Sequence, residues 1–179
     1  PYDIRVMTRA EIDLALDWAA LEGWNPGLHD AESFYAADPH GFLVGLLDDL
    51  PVATISVVKY AETFAFLGCY IVRPEFRGRG FGGKTWTAGM QTVRGRCVGL
   101  DGVVAQQSNY RKSGFELSHR NIRYTGYASG RSESNPYVVP LATRPLEELV
   151  AYDRHCFPAQ RREFLSYWIR PPDSNAVAV

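Results

Sequence analysis

Three apolar runs follow one another with almost nothing between them. Phe42–Leu47, Val52–Tyr60 and Phe64–Val72 are separated only by Asp48-Asp49-Leu50-Pro51 and Ala61-Glu62-Thr63. Connectors of three or four residues cannot carry a crossover, so neighbouring runs must pair antiparallel. The rest of the chain has to fit around this meander. Upstream, residues 2–7 read as a short strand. Thr8 is then an N-cap with Glu11 three residues on, the spacing of a capping box. Residues 12–21 carry apolar side chains at helical spacing and end at Gly23-Trp24-Asn25-Pro26-Gly27. Asp30 opens a second short helix that stops near Asp38-Pro39. Downstream come a glycine-rich junction, a helix running to Arg94 and a strand over 97–104. A short helix over 106–113 and strands within 115–127 follow. The order predicts an α+β fold: a mixed, mostly antiparallel sheet flanked by helices.

Residues 128–136 are rich in Ser, Gly, Arg and Asn and read as a linker. Beyond it, 137–142 resembles a strand, and 145–154 and 159–169 resemble helices. Residues 137–179 are too few to bury a core of their own, since a lone core rarely suffices below ~40 residues. Their amphipathic helices must therefore dock on residues 1–127 or on a second copy, which would make a homodimer.

Charge narrows the function classes. The net charge is −1, which gives no electrostatic case for nucleic acid or an anionic membrane. No apolar run reaches the ~18 residues of a spanning helix. Cys69, Cys97 and Cys156 are an odd number in apolar contexts and read as free, buried thiols in a reducing compartment. The opening Pro1-Tyr-Asp-Ile-Arg lacks a basic-then-apolar signal pattern, so the expected location is cytoplasmic. His155 and Cys156 are neighbours, but further ligands are not evident, and no metal is expected.

The junction after Val72 carries the chemistry. Gly78, Gly80, Gly82 and Gly83 fall within six residues at a strand-to-helix turn, beside Arg77, Arg79 and Lys84. Glycine permits positive φ and lets backbone amides approach a ligand closely. A helix N-terminus adds oriented N–H groups, so this is a natural anion cradle. The string Gly78–Thr85 also fits the nucleotide-binding pattern G-x-x-x-x-G-K-S/T. Two features count against that reading. Five residues separate Val72 from Gly78, and helices and hairpins precede the loop where a P-loop follows an early parallel strand.

The segment Tyr70-Ile-Val-Arg-Pro-Glu-Phe-Arg-Gly-Arg-Gly-Phe-Gly82 resembles the acetyl-CoA motif of the GNAT superfamily of N-acetyltransferases. The family signature is Arg or Gln, two residues, Gly, one residue, then Gly or Ala. Arg77, Gly80 and Gly82 meet it, after a V-x-P-x-x-R-G run. Asn109-Tyr-Arg-Lys-Ser-Gly-Phe115 resembles the family's later Y-x-x-x-G-F segment. The resemblance covers about 125 residues. It is closest to members with two tandem domains, which would make 1–127 the first GNAT domain and 137–179 the incomplete start of a second.

The resemblance implies an enzyme moving an acetyl group from acetyl-CoA to an amine of a small molecule, amino acid or protein lysine, by direct attack in a ternary complex. The alternative is a non-catalytic acyl-CoA-binding or sensing module. By resemblance, the backbone of Tyr70, Ile71 and Val72 pairs with the pantetheine arm, where a bulge splays this strand from the next. Arg77, Gly78, Arg79, Gly80, Phe81, Gly82, Gly83 and Lys84 hold the pyrophosphate. Asn109 is a further cofactor contact, and Tyr110 takes the place of the general acid. Trp24 and Asn25 lie where this fold meets the acceptor, and Tyr35, Tyr60 and Phe64 offer further rings for that pocket.

The base is less legible. The strand before the loop holds no carboxylate, which leaves Glu62, Asp101 or water. His29, His40 and His119 read as solvated.

Overall fold

The computed structural model describes residues 1–127, 136–170 and 176–178. The predicted linker, residues 128–136, lies outside the described residues apart from Pro136. A five-stranded sheet forms the middle layer in the order β1-β2-β3-β4-β5. Its strands are β1 (Tyr2–Val6), β2 (Phe42–Leu47), β3 (Leu50–Tyr60), β4 (Phe64–Val72) and β5 (Cys97–Leu100). The meander is antiparallel as its connectors demand, and β5 joins β4 in parallel. This is a mixed α+β sheet flanked by helices.

The first hairpin is tighter than the sequence reading. β3 begins at Leu50, leaving Asp48 and Asp49 as a two-residue turn with φ of 48° and 66°. Positive φ at both central positions matches the twist of the flanking strands, and Asp tolerates it better than most residues.

One face of the sheet carries α1 (Arg9–Leu21) and α2 (Asp30–Ala37); the other carries α3 (Phe81–Gln91). The capping box forms as read: Thr8 Oγ1 accepts from the Glu11 amide, and the Glu11 carboxylate accepts from the Thr8 amide at 2.8 Å. Arg5 adds two hydrogen bonds to that carboxylate, at 2.8 and 2.6 Å, and holds it well below the usual range, at about 2. Ile12, Ala15 and Leu16 of α1 cluster with Phe42, Val44 and Val58 of the sheet. Under α3 lie Leu43, Ile55, Val57, Ala65 and Leu67. α3 sits close to the sheet because Gly89 is bare: a Cβ there would lie 3.0 Å from both Ile55 and Val57.

The C-terminal helices α5 (Leu146–Asp153) and α6 (Arg162–Trp168) dock on residues 1–127. Val150, Phe164 and Leu165 enter the same core as α1 and α2. Phe164 packs on Phe34 at 5.4 Å, and Phe157 lies against Tyr60, Phe64 and Phe66. Arg161 fixes this arrangement with two hydrogen bonds to Asp153, at 2.8 and 2.7 Å, while its guanidinium lies 4.2 Å over Phe157. A short antiparallel pair, β6 (Val139–Pro140) and β7 (Val177–Ala178), completes the described residues.

Two strand expectations fail. β5 stops at Leu100, short of residue 104. Residues 103–106 leave the sheet, and Val104 is exposed at the start of a 3-10 turn leading into α4 (Gln107–Lys112). Residues 115–127 form no strand. Leu117, Ile122, Tyr124 and Tyr127 are exposed, so their alternation finds neither a partner edge nor a core face to bury. The cysteines also depart from the reading. All three are free, but Cys97 and Cys156 are exposed.

Candidate active site

The site grows from the end of β4. β5 pairs with β4 only from Phe64 to Leu67. Past Leu67, the edge of β4 that faced β5 has no strand partner among the described residues, and a slot opens between the strands. A bulge marks the place. Between the pairs Thr54–Ile71 and Ser56–Gly68, β4 holds one residue more than β3. The extra residue is accommodated by Cys69, whose φ is +42°, and Thr54 Oγ1 donates to the Cys69 carbonyl at 2.8 Å. Burial pushes the Cys69 thiol up to about 11. Tyr70, Ile71 and Val72 are the last three residues of β4 and run along the open slot.

After Val72 the chain makes a 3-10 turn (Pro74–Phe76) and enters the glycine loop. Gly78 and Gly80 have φ of +73° and +84°, which side-chain-bearing residues rarely adopt. Gly80 caps α3 with no side-chain acceptor, so the first amides of the helix face outward without a protein partner from a cap. Gly82 lets α3 approach the strand: a Cβ there would lie 2.7 Å from the Tyr70 hydroxyl. Gly83 faces open space. Along this end of α3 runs an open groove of about 620 Å³, lined by Gly80, Gly83, Lys84, Thr87, Ala88 and Gln91.

The cations differ in what they do. Arg77 is committed to the fold: its Nε donates to the Val72 carbonyl at 2.8 Å, and it pairs with Glu22 at the end of α1. Arg79 stacks over Phe76 and Phe81, at 5.4 and 5.2 Å. Lys84 Nζ sits 5.7 Å over the Tyr2 ring.

Tyr2 is a residue that sequence reasoning missed. Its hydroxyl lies 2.5 Å from Thr85 Oγ1 and donates to the Phe81 carbonyl at 3.4 Å, anchoring the first turn of α3 to β1. Gly45 makes this fit, since a Cβ there would lie 1.9 Å from that hydroxyl. No local sequence signal links Tyr2 to a helix eighty residues away. Thr85 is wholly buried, and its hydroxyl also donates to the Phe81 carbonyl at 3.0 Å. A nucleotide-binding P-loop needs that hydroxyl free for magnesium, so the Gly78–Thr85 string is not used that way here.

Across the slot, α4 presents Tyr110, half-buried and stacked on Trp86 at 6.1 Å. Trp86 also packs edge-on against Tyr70 at 5.2 Å, which brings the tyrosines of β4 and α4 around one indole. Bare Gly102 lets the Tyr110 ring settle, because a Cβ there would lie 2.4 Å from it. Burial raises the pKa of both tyrosines, so both stay protonated at neutral pH. Asn109 is exposed, with its Nδ2 donating to Gln106 at 2.7 Å.

The acceptor-side residues separate. Trp24 is partly buried, and its carbonyl accepts from Arg123 Nη1 at 3.1 Å. Asn25 is exposed with φ of +51°. Tyr60 and Phe64 are core residues packed around Phe157 and do not line a pocket. Glu62 is 96% exposed beyond the start of β4, a strand's length from the glycine loop, and pairs with Arg96. That distance removes it as a base. Asp101 accepts from Asn121 at 3.0 Å. His29, His40 and His119 are exposed. Among the described residues, no three His, Cys, Asp or Glu side chains converge as a metal group, and no helix is long and apolar enough to cross a membrane.

Comparison with known proteins agrees with this geometry. The model of the acetyltransferase (GNAT) family matches residues 10–115. A holothin acyltransferase from Pseudoalteromonas sp. (strain SANK 73390) is 32% identical over 158 residues, covering 88% of this chain and 54% of its own length. The chain therefore spans about half the length of that relative. Among solved structures, a Pyrococcus horikoshii protein described as an acetyltransferase superposes with a TM-score of 0.71 at 19% identity, covering 98% of this chain and 64% of its own. A Clostridium acetobutylicum protein crystallised with acetyl-CoA superposes at 0.52 and 14% identity, covering 70% of this chain and 96% of its own. At these identities the structural likeness shows the fold.

Proposed function

The chain belongs to the acetyltransferase (GNAT) family, and from that premise we propose that it transfers an acetyl group from acetyl-CoA to an amine. The observation that carries this reading is the continuous path from the open edge of β4 at 68–72 to the uncapped amides of α3, with Tyr110 across the slot. The pantetheine arm would pair along Tyr70, Ile71 and Val72. The pyrophosphate would lie on the amides from Gly78 to Lys84, where helix N-terminal N–H groups and nearby cations favour an anion. Arg77 contributes its amide and its tether rather than a free guanidinium.

The chemistry follows from proton bookkeeping. An alkyl ammonium has a pKa near ~10.4, so only about 0.1% is nucleophilic at neutral pH. The amine lone pair attacks the thioester carbonyl carbon, a C–N bond forms and the C–S bond breaks. A backbone N–H at the bulge would receive the oxyanion, the type of electrostatic contribution that dominates acyl transfer. The leaving thiolate takes the Tyr110 proton, a general-acid step worth ~10²–10⁴-fold, and the proton shed by the nitrogen as the amide forms returns to the tyrosinate through water.

A thiol-release assay with acetyl-CoA and a panel of primary amines tests the reading. Release that depends on the amine supports transfer. Acetyl-CoA binding without release across the panel identifies a sensing module instead.

Residues 137–179 are read as the opening of a second GNAT-like unit. What this reading rests on is the sequence resemblance to members with two tandem domains. A cytoplasmic setting belongs to the same proposal.

A further inference from the structure

The peptide between Cys69 and Tyr70 lies where strand pairing does not hold it. The β3–β4 register runs from Tyr60–Phe64 to Ser56–Gly68 and resumes at Thr54–Ile71. Cys69 and Tyr70 therefore face Ile55 alone, and Ile55 is the register partner of Leu43 on β2. Cys69 also has φ of +42°, a left-handed conformation that a residue with a Cβ keeps only where its surroundings over-determine it.

A side chain takes over what the ladder leaves. Thr54 is wholly buried, and its hydroxyl donates to the Cys69 carbonyl at 2.8 Å. That bond turns the carbonyl toward β3. The peptide is trans and planar, so the Tyr70 N–H at its far end points the opposite way, toward the edge that β5 has left. The regular part of the ladder requires the same direction. The Arg73 amide donates to the Val52 carbonyl at 3.0 Å, so the amides of 73 and 71 face β3 while those of 72 and 70 face the slot. Gly68 keeps the strands tight beside the bulge, since a Cβ there would lie 3.1 Å from Ser56 Oγ.

We infer that Thr54 is a positioning residue for acetyl transfer: by holding the Cys69 carbonyl against β3, its hydroxyl aims the Tyr70 N–H into the slot as the donor for the oxyanion. This rests on the acetyltransferase reading above and names both the amide that serves it and the group that holds that amide. As the amine attacks, the carbonyl π pair moves onto oxygen, and the Tyr70 N–H hydrogen-bonds that oxyanion without giving up its proton. The pair then returns, the C=O bond re-forms and the C–S bond breaks. A donor already held in place costs no reorganisation as the charge develops. Without the Thr54 hydroxyl, the Cys69 carbonyl loses its buried partner. The peptide is then free to turn and carry the N–H off the oxyanion.

Three measurements on the full chain test this. The first is isotope-edited infrared spectroscopy of acetyl-CoA labelled at the acetyl carbonyl carbon. Bound to the wild-type chain, the carbonyl stretch is expected below that of free acetyl-CoA; Thr54→Val should move it back toward the free value, and Thr54→Ser should not. The second is the thiol-release assay. Thr54→Val should lower kcat about 10–10²-fold, short of the ~10²–10³-fold for deleting an oxyanion donor outright. The Kd for acetyl-CoA and the KM for the amine should stay within about threefold, and Thr54→Ser should restore kcat. Thr54→Ala supplies a second hydroxyl-free chain if Thr54→Val does not fold. The third is amide exchange in the unliganded chain, where Tyr70 should exchange at least tenfold faster than Ile71, with the gap narrowing in Thr54→Val. An unshifted stretch in the wild-type complex overturns the proposal, as does a stretch or kcat in Thr54→Val equal to wild type, or equal loss in Thr54→Ser. Failure of acetyl-CoA to bind the wild-type chain sinks the cofactor reading instead, and amide exchange then still decides whether Thr54 aims the Tyr70 N–H.

Discussion

At the scale of single residues, Tyr110 and Tyr2 have different tasks despite similar surroundings. Tyr110 has a half-buried hydroxyl with no hydrogen-bond partner among the described residues, and a pKa raised by burial. It can deliver a proton without first breaking a bond. Tyr2 spends its hydroxyl on Thr85 and Phe81 and serves the helix. Tyr110→Phe should therefore lower kcat at least tenfold in the thiol-release assay while the Kd for acetyl-CoA stays the same. An unchanged kcat would remove Tyr110 from the mechanism. The motif made Tyr110 legible in the sequence; Tyr2 was not, because its meaning lies in contacts made across the fold.

At the scale of elements, α3 and α1 each make a prediction. The first turn of α3 is uncapped, and Gly83 has open space beyond it. Gly83→Asp should leave folding stability unchanged or slightly raised, since an acid in the first turn of a helix contributes about 0.3–1 kcal/mol. The same charge should repel the pyrophosphate and weaken acetyl-CoA binding at least tenfold, measured by titration beside a melting curve.

The start of α1 responds to acid. Glu11 is held at about 2 against an ordinary 4.5, chiefly by hydrogen bonds from Arg5 and then from the Thr8 backbone. A carboxylate with a lowered folded-state pKa stabilises the fold above about 4.5 and loses that contribution as pH falls toward about 2. Glu11→Gln, which can still close the capping box, should flatten the stability curve in that window, its small deficit being present above about 4.5 and at neutrality and vanishing toward pH 2. Solvent screening of this half-open pair keeps the effect small. A slope identical to wild type between pH 4.5 and 2 would show that Glu11 does not carry it.

At the scale of the whole molecule, the C-terminal helices and residues 1–127 share one core. Phe164 is 7% exposed and touches both Phe34 and Trp168, so it is the contact through which α6 holds to α2. Phe164→Ala should cost about 3–5 kcal/mol, the range for removing a buried aromatic ring, read from urea unfolding. A loss below about 1 kcal/mol would mean that α6 is not anchored there.

By itself, the sequence determined the meander, the capping box and the positions of the glycines. Each depends on a short stretch of chain: a connector too small to cross over, a three-residue cap spacing, or a backbone that must reach positive φ. Even the limits of β4, Phe64 and Val72, were legible, because turn residues bound its apolar run. Only the tertiary structure decided the rest. Residues 115–127 alternate like a strand, yet a strand needs a partner edge, and alternation does not supply one. Arg77 matches a cofactor motif, but its guanidinium is taken by Val72 and Glu22, partners chosen by how α1 lies on the sheet. Short-range geometry is written in neighbouring residues. Which side chains end up unpaired at a site is settled when distant elements compete for them.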